Sequence, residues 1–246
     1  MIVNDIDLKD TELHMKSNSQ ALTTYSRSKA IRNSLRAKAW NSFYAFSKRS
    51  FDIVCGIIGC ICLLPILLLV KIAYLRHGDK APILFKQERI GKGGKTICMY
   101  KIRSMVHNAE QVLEELMEKD PAIREEYITN KKLENDPRVT RVGKILRKTS
   151  LDEFGQFINV LKGDMTMIGP RPYLPREKED MKMYYHDIIT CKPGLTGLWQ
   201  ANGRSNINFE NRCRLDSFYS KHKCLWFDIK IFKKTFSAVL SGNGAG

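Results

Sequence analysis

An adjacent acidic pair, Asp152 and Glu153, marks the segment of the chain with the strongest indication of chemistry. Ser150 stands three residues before Glu153, and this spacing predicts a capping box that begins a helix, which Gly163 then ends. Acids in a first helical turn complement the helix dipole, so a purely structural interpretation is open. Free backbone N–H groups at such a turn can also hold a phosphate, a divalent metal and a carboxylate nucleophile together.

Four basic residues closely precede this pair, and they indicate a place where cations and free backbone N–H groups converge. They are Arg141, Lys144, Arg147 and Lys148.

A second candidate for phosphate binding is Arg171, which lies between Pro170 and Pro172. Prolines on both sides restrict the backbone, so the guanidinium loses little entropy when it binds a phosphate with two hydrogen bonds. A solvated turn is the alternative. Downstream, residues 192–205 combine three glycines with Trp199 and Arg204, which predicts either a binding loop or a turn-rich connection.

The elements that must position these residues follow from periodicity. Residues 82–87 and 96–101 predict two short strands around a glycine turn, and residues 105–128 predict an exposed helix. The glycine turn does not fit a nucleotide-binding P-loop, because that pattern needs a glycine where the chain has Arg89.

Residues 53–70 contain eighteen consecutive uncharged residues, about the minimum length for a membrane segment. Basic residues flank both ends of this run, which draws both ends to one face of the membrane. Pro65 removes a helical hydrogen bond inside the run, so we predict a kinked, re-entrant hairpin. A straight transmembrane helix and a buried core helix are the alternatives.

Two further segments have an interfacial character. Residues 26–50 contain seven Lys or Arg and no acid, with apolar residues near helical spacing, which predicts a basic amphipathic helix on anionic lipid. A solvated basic helix is the alternative. Residues 225–240 mix aromatic residues with lysines, and they predict either a second interfacial helix or the last core helix.

Composition limits the partners of the protein. A net charge of +15 over 246 residues requires anionic partners: nucleic acid, anionic lipid or phosphate-bearing substrates. The seven cysteines form no Cys-x-x-Cys pair and the five histidines are scattered, so we expect a reducing compartment and no transition-metal site. The polar, acidic N-terminus does not look like a secretory signal.

The ordered set of motifs resembles one family, the monotopic phosphoglycosyl transferases among the bacterial sugar transferases. From residue 48 onward the chain contains LFKQERIG, YKIRSM, DPRVTRVGKILRKTSLDE, LKGDMTMIGPRP and KPGLTGLWQ. Residues 1–47 lie outside the resemblance. The chain departs from the family at Phe154 and Gly155, where most members have Leu-Pro.

The resemblance implies that a sugar 1-phosphate moves from a UDP-sugar to undecaprenyl phosphate with release of UMP. It implies that Asp152 is the nucleophile, which forms a covalent phospho-sugar intermediate, and that Glu153 binds Mg²⁺. The resemblance further implies that four basic residues bind phosphate: Lys101, Arg103, Arg147 and Arg171. Asp216 corresponds to a late aspartate of the family whose role is undefined.

The predicted fold class is α+β: a re-entrant membrane helix hairpin plus a mainly helical cytoplasmic catalytic domain with a small β-hairpin. The predicted parts are residues 1–47 as a basic extension, 48–76 as the hairpin and 77–246 as the catalytic domain. We expect the enzyme at the bacterial inner membrane, where it starts exopolysaccharide, capsule or O-antigen assembly, with anionic lipids but no nucleic acid as partners. Homodimerisation and the identity of the sugar are left open. The alternative function is a non-enzymatic, membrane-tethered basic protein that binds anionic lipid or nucleic acid.

Overall fold

The contacts within the protein group into two units, Met1–Ser47 and Lys48–Gly246. The first unit is helical from residue 4, and its side chains are described from residue 38, so the part of the predicted amphipathic face over residues 26–37 lies outside the residues whose side chains are described. The structure is a computed structural model that describes the backbone of residues 4–130, 133–202 and 207–240 and the side chains of residues 38–129, 133–202 and 207–237.

Helix α1 extends over Asn4–Arg76 and contains Pro65. Between residues 52 and 74 its buried positions are separated by three, four or seven residues, that is, by one or two helical turns, so one stripe of the helix packs on the protein. The rest of its surface is apolar and exposed, and the helix is long and apolar enough to cross a membrane. The most exposed large side chains on this surface are Ile61, Leu64, Leu68 and Leu69.

The predicted β-hairpin is confirmed. Strands β1 (Leu84–Ile90) and β2 (Thr96–Ile102) pair antiparallel, with Leu84 opposite Ile102 and Ile90 opposite Thr96. Gly93 and Gly94 in the connecting turn have φ of 72° and 77°, a conformation that glycine adopts without a steric penalty. The turn therefore fixes the register of the hairpin.

The prediction of one helix over residues 105–128 is wrong, because the structure has two. Helix α2 covers Ala109–Lys119 and α3 covers Pro121–Asn130. Asp120 between them is extended, with φ of −132° and ψ of 107°. A residue that precedes proline is pushed out of the helical region, so Pro121 ends α2 and begins α3.

A second, parallel pair of strands was not predicted. Strand β3 (Thr166–Ile168) begins three residues after Gly163 and pairs with β4 (Gly194–Thr196). Each strand has only three residues, so the sequence offers little periodicity to detect. Together the elements confirm a mainly helical α+β protein with a small β-hairpin, whereas the re-entrant form of the membrane segment stays a prediction. The remaining helices are α4 (Arg141–Lys148), α5 (Gln156–Lys162), α6 (Tyr185–Ile188), α7 (Leu198–Asn202), α8 (Phe209–His222) and α9 (Leu225–Leu240).

Two buried clusters matter for the site. The first joins α1 to β2 and α4 through Leu63, Val70, Tyr74, Ile102 and Leu146, and side chains of the acidic-pair segment pack against it. The second joins the segment after β3 to α6 and α8 and consists of Tyr173, Met181, Ile188, Phe209 and Cys213. We refer to them as the α1 cluster and the α8 cluster.

Candidate active site

Asp152 lies in a short 3₁₀ helix, Leu151–Gly155, that leads directly into α5; we name it the Asp152 turn. The predicted capping box is wrong, because Ser150 is left-handed with φ of 56° and its side chain makes no capping hydrogen bond. Instead, the backbone N–H of Glu153 donates to the backbone oxygen of Ser150 at 3.3 Å. Gly163 ends α5 with φ of 89°, as predicted.

Lys101 on β2 faces both members of the acidic pair. Its Nζ lies 3.9 Å from Asp152 Oδ2 and 3.8 Å from Glu153 Oε1. Asp152 is buried, whereas the side chain of Glu153 is 43% exposed. Both distances exceed a normal hydrogen bond, so one lysine balances two carboxylates without tight contact to either.

The ionisation of Asp152 reflects opposing effects. Burial raises the pKa of Asp152, Lys101 lowers it, Glu153 raises it and Arg147 lowers it. Burial disfavours the charged carboxylate, and nearby cations restore it. Lys101 and Arg147 therefore keep available the ionised form that a nucleophile needs.

Two residues of the acidic-pair segment attach it to β2. A Cβ atom at Gly155 would lie 2.8 Å from the backbone oxygen of Tyr100, so glycine permits a close approach that a larger residue would obstruct. The Asn159 side chain accepts from Tyr100 N at 2.9 Å and donates to Cys98 O at 2.7 Å. These contacts hold the Asp152 turn beside the strand that carries Lys101.

Arg147 is held beside the site by a hydrogen bond to Ser104, which lies just after the end of β2. Its Nε donates to Ser104 Oγ at 3.1 Å. Helix α4 comes close to this segment because Gly143 has no side chain: a Cβ there would lie 1.8 Å from Ser104 O. The other three cations of α4 are exposed: Arg141, Lys144 and Lys148. Arg147 is therefore the member of the predicted basic group whose charge acts on Asp152.

Arg103 is placed differently from Lys101, although both belong to the YKIRSM motif. Its guanidinium binds both carboxylate oxygens of Asp79 at 2.8 and 2.9 Å, and its Nε donates to Pro82 O at 2.9 Å. It also stacks on Tyr74 of α1, 4.4 Å from the ring centroid. The structure thus places Arg103 between α1 and the hairpin, and phosphate binding by this residue stays a prediction.

The start of the apolar segment is bonded to the same framework. Arg49 donates to the backbone oxygens of Val160 and Leu161 in the last turn of α5, at 2.7 and 2.8 Å. Asp52 accepts from Met167 N at 2.8 Å. Lys48 forms a 2.6 Å ion pair with Asp228. Lys48 and Arg49, which were predicted as a basic flank of a membrane segment, thus fasten α1 to α9 and α5, and Asp52 fastens it to β3.

Arg171 and Asp216 form a second polar group. The backbone N–H of Arg171 donates to Asp216 Oδ2 at 3.0 Å, and the Tyr173 hydroxyl donates to the same oxygen at 2.9 Å. Asp216 is fully buried, which raises its pKa to about 7. Asp216 thus fixes the backbone of the Pro-Arg-Pro segment. Arg204, the other predicted residue here, lies outside the described residues.

The acidic pair fits a shared magnesium site. Within the described part of the chain, no three His, Cys, Asp or Glu side chains are grouped so that they could hold a metal alone. Mg²⁺ keeps several waters and is usually bound by one or two carboxylates together with substrate phosphates. The half-exposed carboxylate of Glu153 beside Asp152 is a donor set of this kind.

Sequence reasoning missed the residues that connect the elements. Asn159 is completely buried and Ser104 nearly so, and neither was singled out. The sequence did contain a signal for Asn159, which is a polar amide within the apolar stripe of the predicted helix. Asn159 also lies four residues after Gly155, so both residues are on the same face of that helix. Ser104 carries no such signal, since its role depends on Arg147 on another element.

The chain matches the family model of bacterial sugar transferases over residues 43–242. It is 44% identical over 203 residues to an undecaprenyl-phosphate galactose phosphotransferase of Salmonella typhimurium, an alignment that covers 81% of this chain and 42% of that protein. It is 40% identical over 199 residues to the exopolysaccharide production protein ExoY of Sinorhizobium fredii, covering 81% of this chain and 88% of that protein.

A UDP-glucose:undecaprenyl-phosphate glucose-1-phosphate transferase of Escherichia coli is 37% identical over 192 residues, which cover 75% of this chain and 38% of that protein. The chain thus spans about two fifths of the length of the Salmonella and Escherichia proteins. Because the family model covers most of the chain, this protein belongs to the bacterial sugar transferases, of the monotopic phosphoglycosyl transferase type.

Proposed function

We propose that this protein transfers a sugar 1-phosphate from a UDP-sugar to undecaprenyl phosphate and so starts the assembly of an exopolysaccharide, capsule or O-antigen type glycan. One observation carries the proposal: the buried carboxylate of Asp152 lies beside Lys101 in a turn that packs on the apolar helix α1. A carboxylate nucleophile, cations for phosphate and an apolar surface occur together at this place.

The reaction has two steps in this proposal. An Asp152 carboxylate oxygen attacks the phosphorus next to the sugar, and the bond from that phosphorus to the bridging oxygen breaks, so that UMP leaves with the electron pair. An oxygen of the lipid phosphate then attacks the same phosphorus and releases the Asp152 carboxylate. Attack of an anion on an anion requires neutralised charge, which Lys101 and Arg147 supply near Asp152.

Mg²⁺ bound by Glu153 and substrate phosphate would add further positive charge at the attacked phosphate. The protein's own contribution is to hold Asp152 ionised and oriented, through Lys101 and the attachment of the Asp152 turn to β2. Burial of Asp152 also limits competition by water for the phospho-sugar intermediate.

The proposed location is the bacterial inner membrane, with the catalytic domain in the cytoplasm. The apolar run of α1 is proposed to enter and leave the membrane on that same side as a re-entrant segment. Contacts near both ends of the apolar run support this arrangement. Asp52 bonds to β3, and the Tyr74 hydroxyl donates to Arg103 O at 2.7 Å, so the two ends join one compact unit. A segment that crossed the bilayer would place its two ends on opposite faces of the membrane, where one folded unit could not contact both.

Release of UMP from UDP-galactose and UDP-glucose, with Mg²⁺ and undecaprenyl phosphate, tests the transfer. The full chain in nanodiscs should release UMP, and Asp152→Ala should not, while the exposed Glu114→Gln on α2 serves as a matched control. Sugar label should remain on the denatured protein before lipid is added. If no UDP-sugar yields UMP and lipid binding falls steeply with salt, the protein is a basic lipid binder instead.

Labelling of cysteines introduced at residues near both ends of the run tests the topology. The re-entrant arrangement predicts that positions 50 and 76 are reached from the same face of intact vesicles. Reaction from opposite faces would establish a spanning helix.

A further inference from the structure

Three arginines from separate elements converge on the Pro-Arg-Pro segment. Arg89 of β1 donates through Nη1 to Pro172 O at 2.9 Å. Arg171 lies over the ring of Trp199, with its guanidinium carbon 5.6 Å from the ring centroid. Arg212, on α8, lies over the same ring at 5.0 Å. We name Arg89, Arg171 and Arg212 the arginine cluster.

The charge of the arginine cluster is poorly compensated. Among the described residues, no carboxylate oxygen lies within 4 Å of any of its three guanidinium groups, although Arg89 and Arg212 are only 6% and 5% exposed. Buried charges without ion pairs are costly, and arginine cannot readily lose its proton. Burial lowers the pKa of Arg89 to about 9, and the positive charge of Arg171 contributes to this shift. The same two causes lower the pKa of Arg212.

The nearest acids are engaged elsewhere. Asp216 Oδ2 accepts from Arg171 N and from Tyr173, and Glu177 accepts from Leu174 N at 2.7 Å. Glu177 acts on Arg89 and Arg212 only from beyond ion-pair distance. Among the described residues, Arg89 Nε is a buried donor without a hydrogen-bond partner. Trp199 Nε1 also has no partner at hydrogen-bond distance, but it interacts with the Asp216 carboxylate, whose Oδ1 is likewise unpartnered. Buried donors normally have partners, so Arg89 Nε lacks an acceptor that a bound anion would supply.

We propose that Arg89, Arg171 and Arg212 form a binding site for the nucleotide phosphate, that is, the phosphate that leaves as UMP. This inference rests on the proposed function and adds Arg89 and Arg212 to it. Guanidinium groups suit a phosphate because their paired N–H donors match its oxygens. The attacked phosphate lies at Asp152, and the phosphate that stays with the nucleoside lies at the arginine cluster.

The packing favours a soluble nucleotide over the lipid as the source of this phosphate. Arg212 lies on α8, beside the α8 cluster, which contains no residue of α1. The Asp152 turn and α4 pack instead against the α1 cluster, which includes Leu63 and Val70 of the apolar helix. The lipid phosphate therefore belongs with Lys101 and Arg147, and the arginine cluster is left for the donor.

UDP binding tests the inference without any transfer reaction. The full chain in nanodiscs free of polyprenyl phosphate is titrated with UDP by calorimetry. Arg212→Gln and Arg89→Gln should each weaken UDP binding by about tenfold or more. Arg214→Gln is the matched control, because Arg214 is exposed on the same helix and should leave UDP binding unchanged.

A second measurement covers variants that fold poorly. UDP should raise the unfolding temperature of the wild type and of Arg214→Gln, and raise it much less for Arg171→Gln. Arg212→Lys keeps the charge and should retain part of the affinity. Unchanged UDP affinity in folded Arg212→Gln, or a wild type that does not bind UDP, overturns the inference.

Two further outcomes separate the inference from its alternatives. If the affinity for polyprenyl phosphate in nanodiscs drops in Arg212→Gln while that for UDP does not, the cluster binds lipid phosphate and the nucleotide assignment is wrong. If Arg212-dependent UDP binding occurs but Asp152→Asn still transfers sugar phosphate, the inference stands and the proposed nucleophile fails.

Discussion

The Asp152 region and the Asp216 region treat a buried carboxylate in opposite ways. Asp152 has a lysine 3.9 Å away and a half-exposed acidic neighbour, and no side chain in the described part of the protein binds its carboxylate tightly. Asp216 is fully buried and receives two hydrogen bonds of 3.0 and 2.9 Å on one oxygen. Burial raises the pKa of both, and for Asp216 to about 7.

The difference indicates different work for two acids of the same fold. A carboxylate balanced by a cation at a distance stays ionised and can move towards a substrate, which suits a nucleophile. A carboxylate that holds a backbone N–H and a tyrosine hydroxyl instead positions its neighbours. The perturbed pKa alone does not distinguish them, whereas the partners of each oxygen do.

The largest expected effect comes from the acid that is free to react. Asp152→Asn preserves shape but removes the nucleophilic charge, so transfer should fall by about 10³-fold or more, measured as UMP release. Asp216→Asn, tested alongside, should keep substantial transfer because an amide oxygen can still accept both hydrogen bonds. Equal loss in the two variants would remove the contrast between the regions.

Removal of the cation at Asp152 should have the next largest effect. Lys101→Met removes the strongest influence that lowers the pKa of Asp152, so this pKa should rise further. In the proposed mechanism the ionised form attacks, so transfer should drop about 100-fold near pH 6 and the acidic limb of its pH profile should move to higher pH.

Lys101→Arg keeps the charge and should restore most of the original pH profile. An acidic limb that stays in place in Lys101→Met would show that Lys101 does not control the ionisation of Asp152.

The attachment of the Asp152 turn to β2 should contribute to stability. Asn159→Leu leaves Tyr100 N and Cys98 O buried without partners, so the free energy of unfolding should fall by about 2 kcal/mol in denaturant titration. Asn135→Leu, at an exposed position where the structure shows no side-chain hydrogen bond to a described residue, is the control and should change it little. A stable Asn159→Leu protein with full transfer would show that this contact does not position the turn.

The last predicted effect, similar in size, distinguishes Asp216 by the pH dependence of the stability. Its pKa is raised in the folded protein, so the folded state binds an extra proton below about pH 7, and the stability from Asp216 is lost as the pH rises through that value. Relative to Asp216→Asn, the wild type should lose on the order of 2 kcal/mol of unfolding free energy between about pH 5 and 7.5. Parallel pH curves for the two proteins would contradict the raised pKa.

Local patterns in the sequence predicted much of the fold and part of the site. The glycine turn predicted the hairpin, and Gly163 predicted the end of α5. The capping box failed because Ser150 and Glu153 have the right types and spacing, but the backbone at Ser150 turns left-handed and takes the Asp152 turn into a 3₁₀ helix. Residue types alone do not distinguish these two geometries.

The partners of charged residues were harder to predict. Four cations of α4 were expected at the acidic pair, but a helix presents its side chains in several directions, and three of the four face solvent. Lys101, fifty-one residues upstream of Asp152, supplies the closest charge instead. Lys48 and Arg49 were expected beside lipid headgroups, and they bind α9 and α5.

By itself, the sequence determined the family, the apolar segment, the hairpin and the acidic pair, because motif order, composition and short-range periodicity are properties of neighbouring residues. Only the tertiary structure decided which cation faces Asp152, which amide joins α5 to β2 and which three arginines converge on the Pro-Arg-Pro segment. Each of these contacts joins residues far apart in the chain, and their proximity depends on close approaches at positions such as Gly143 and Gly155, where a single Cβ atom would separate the elements.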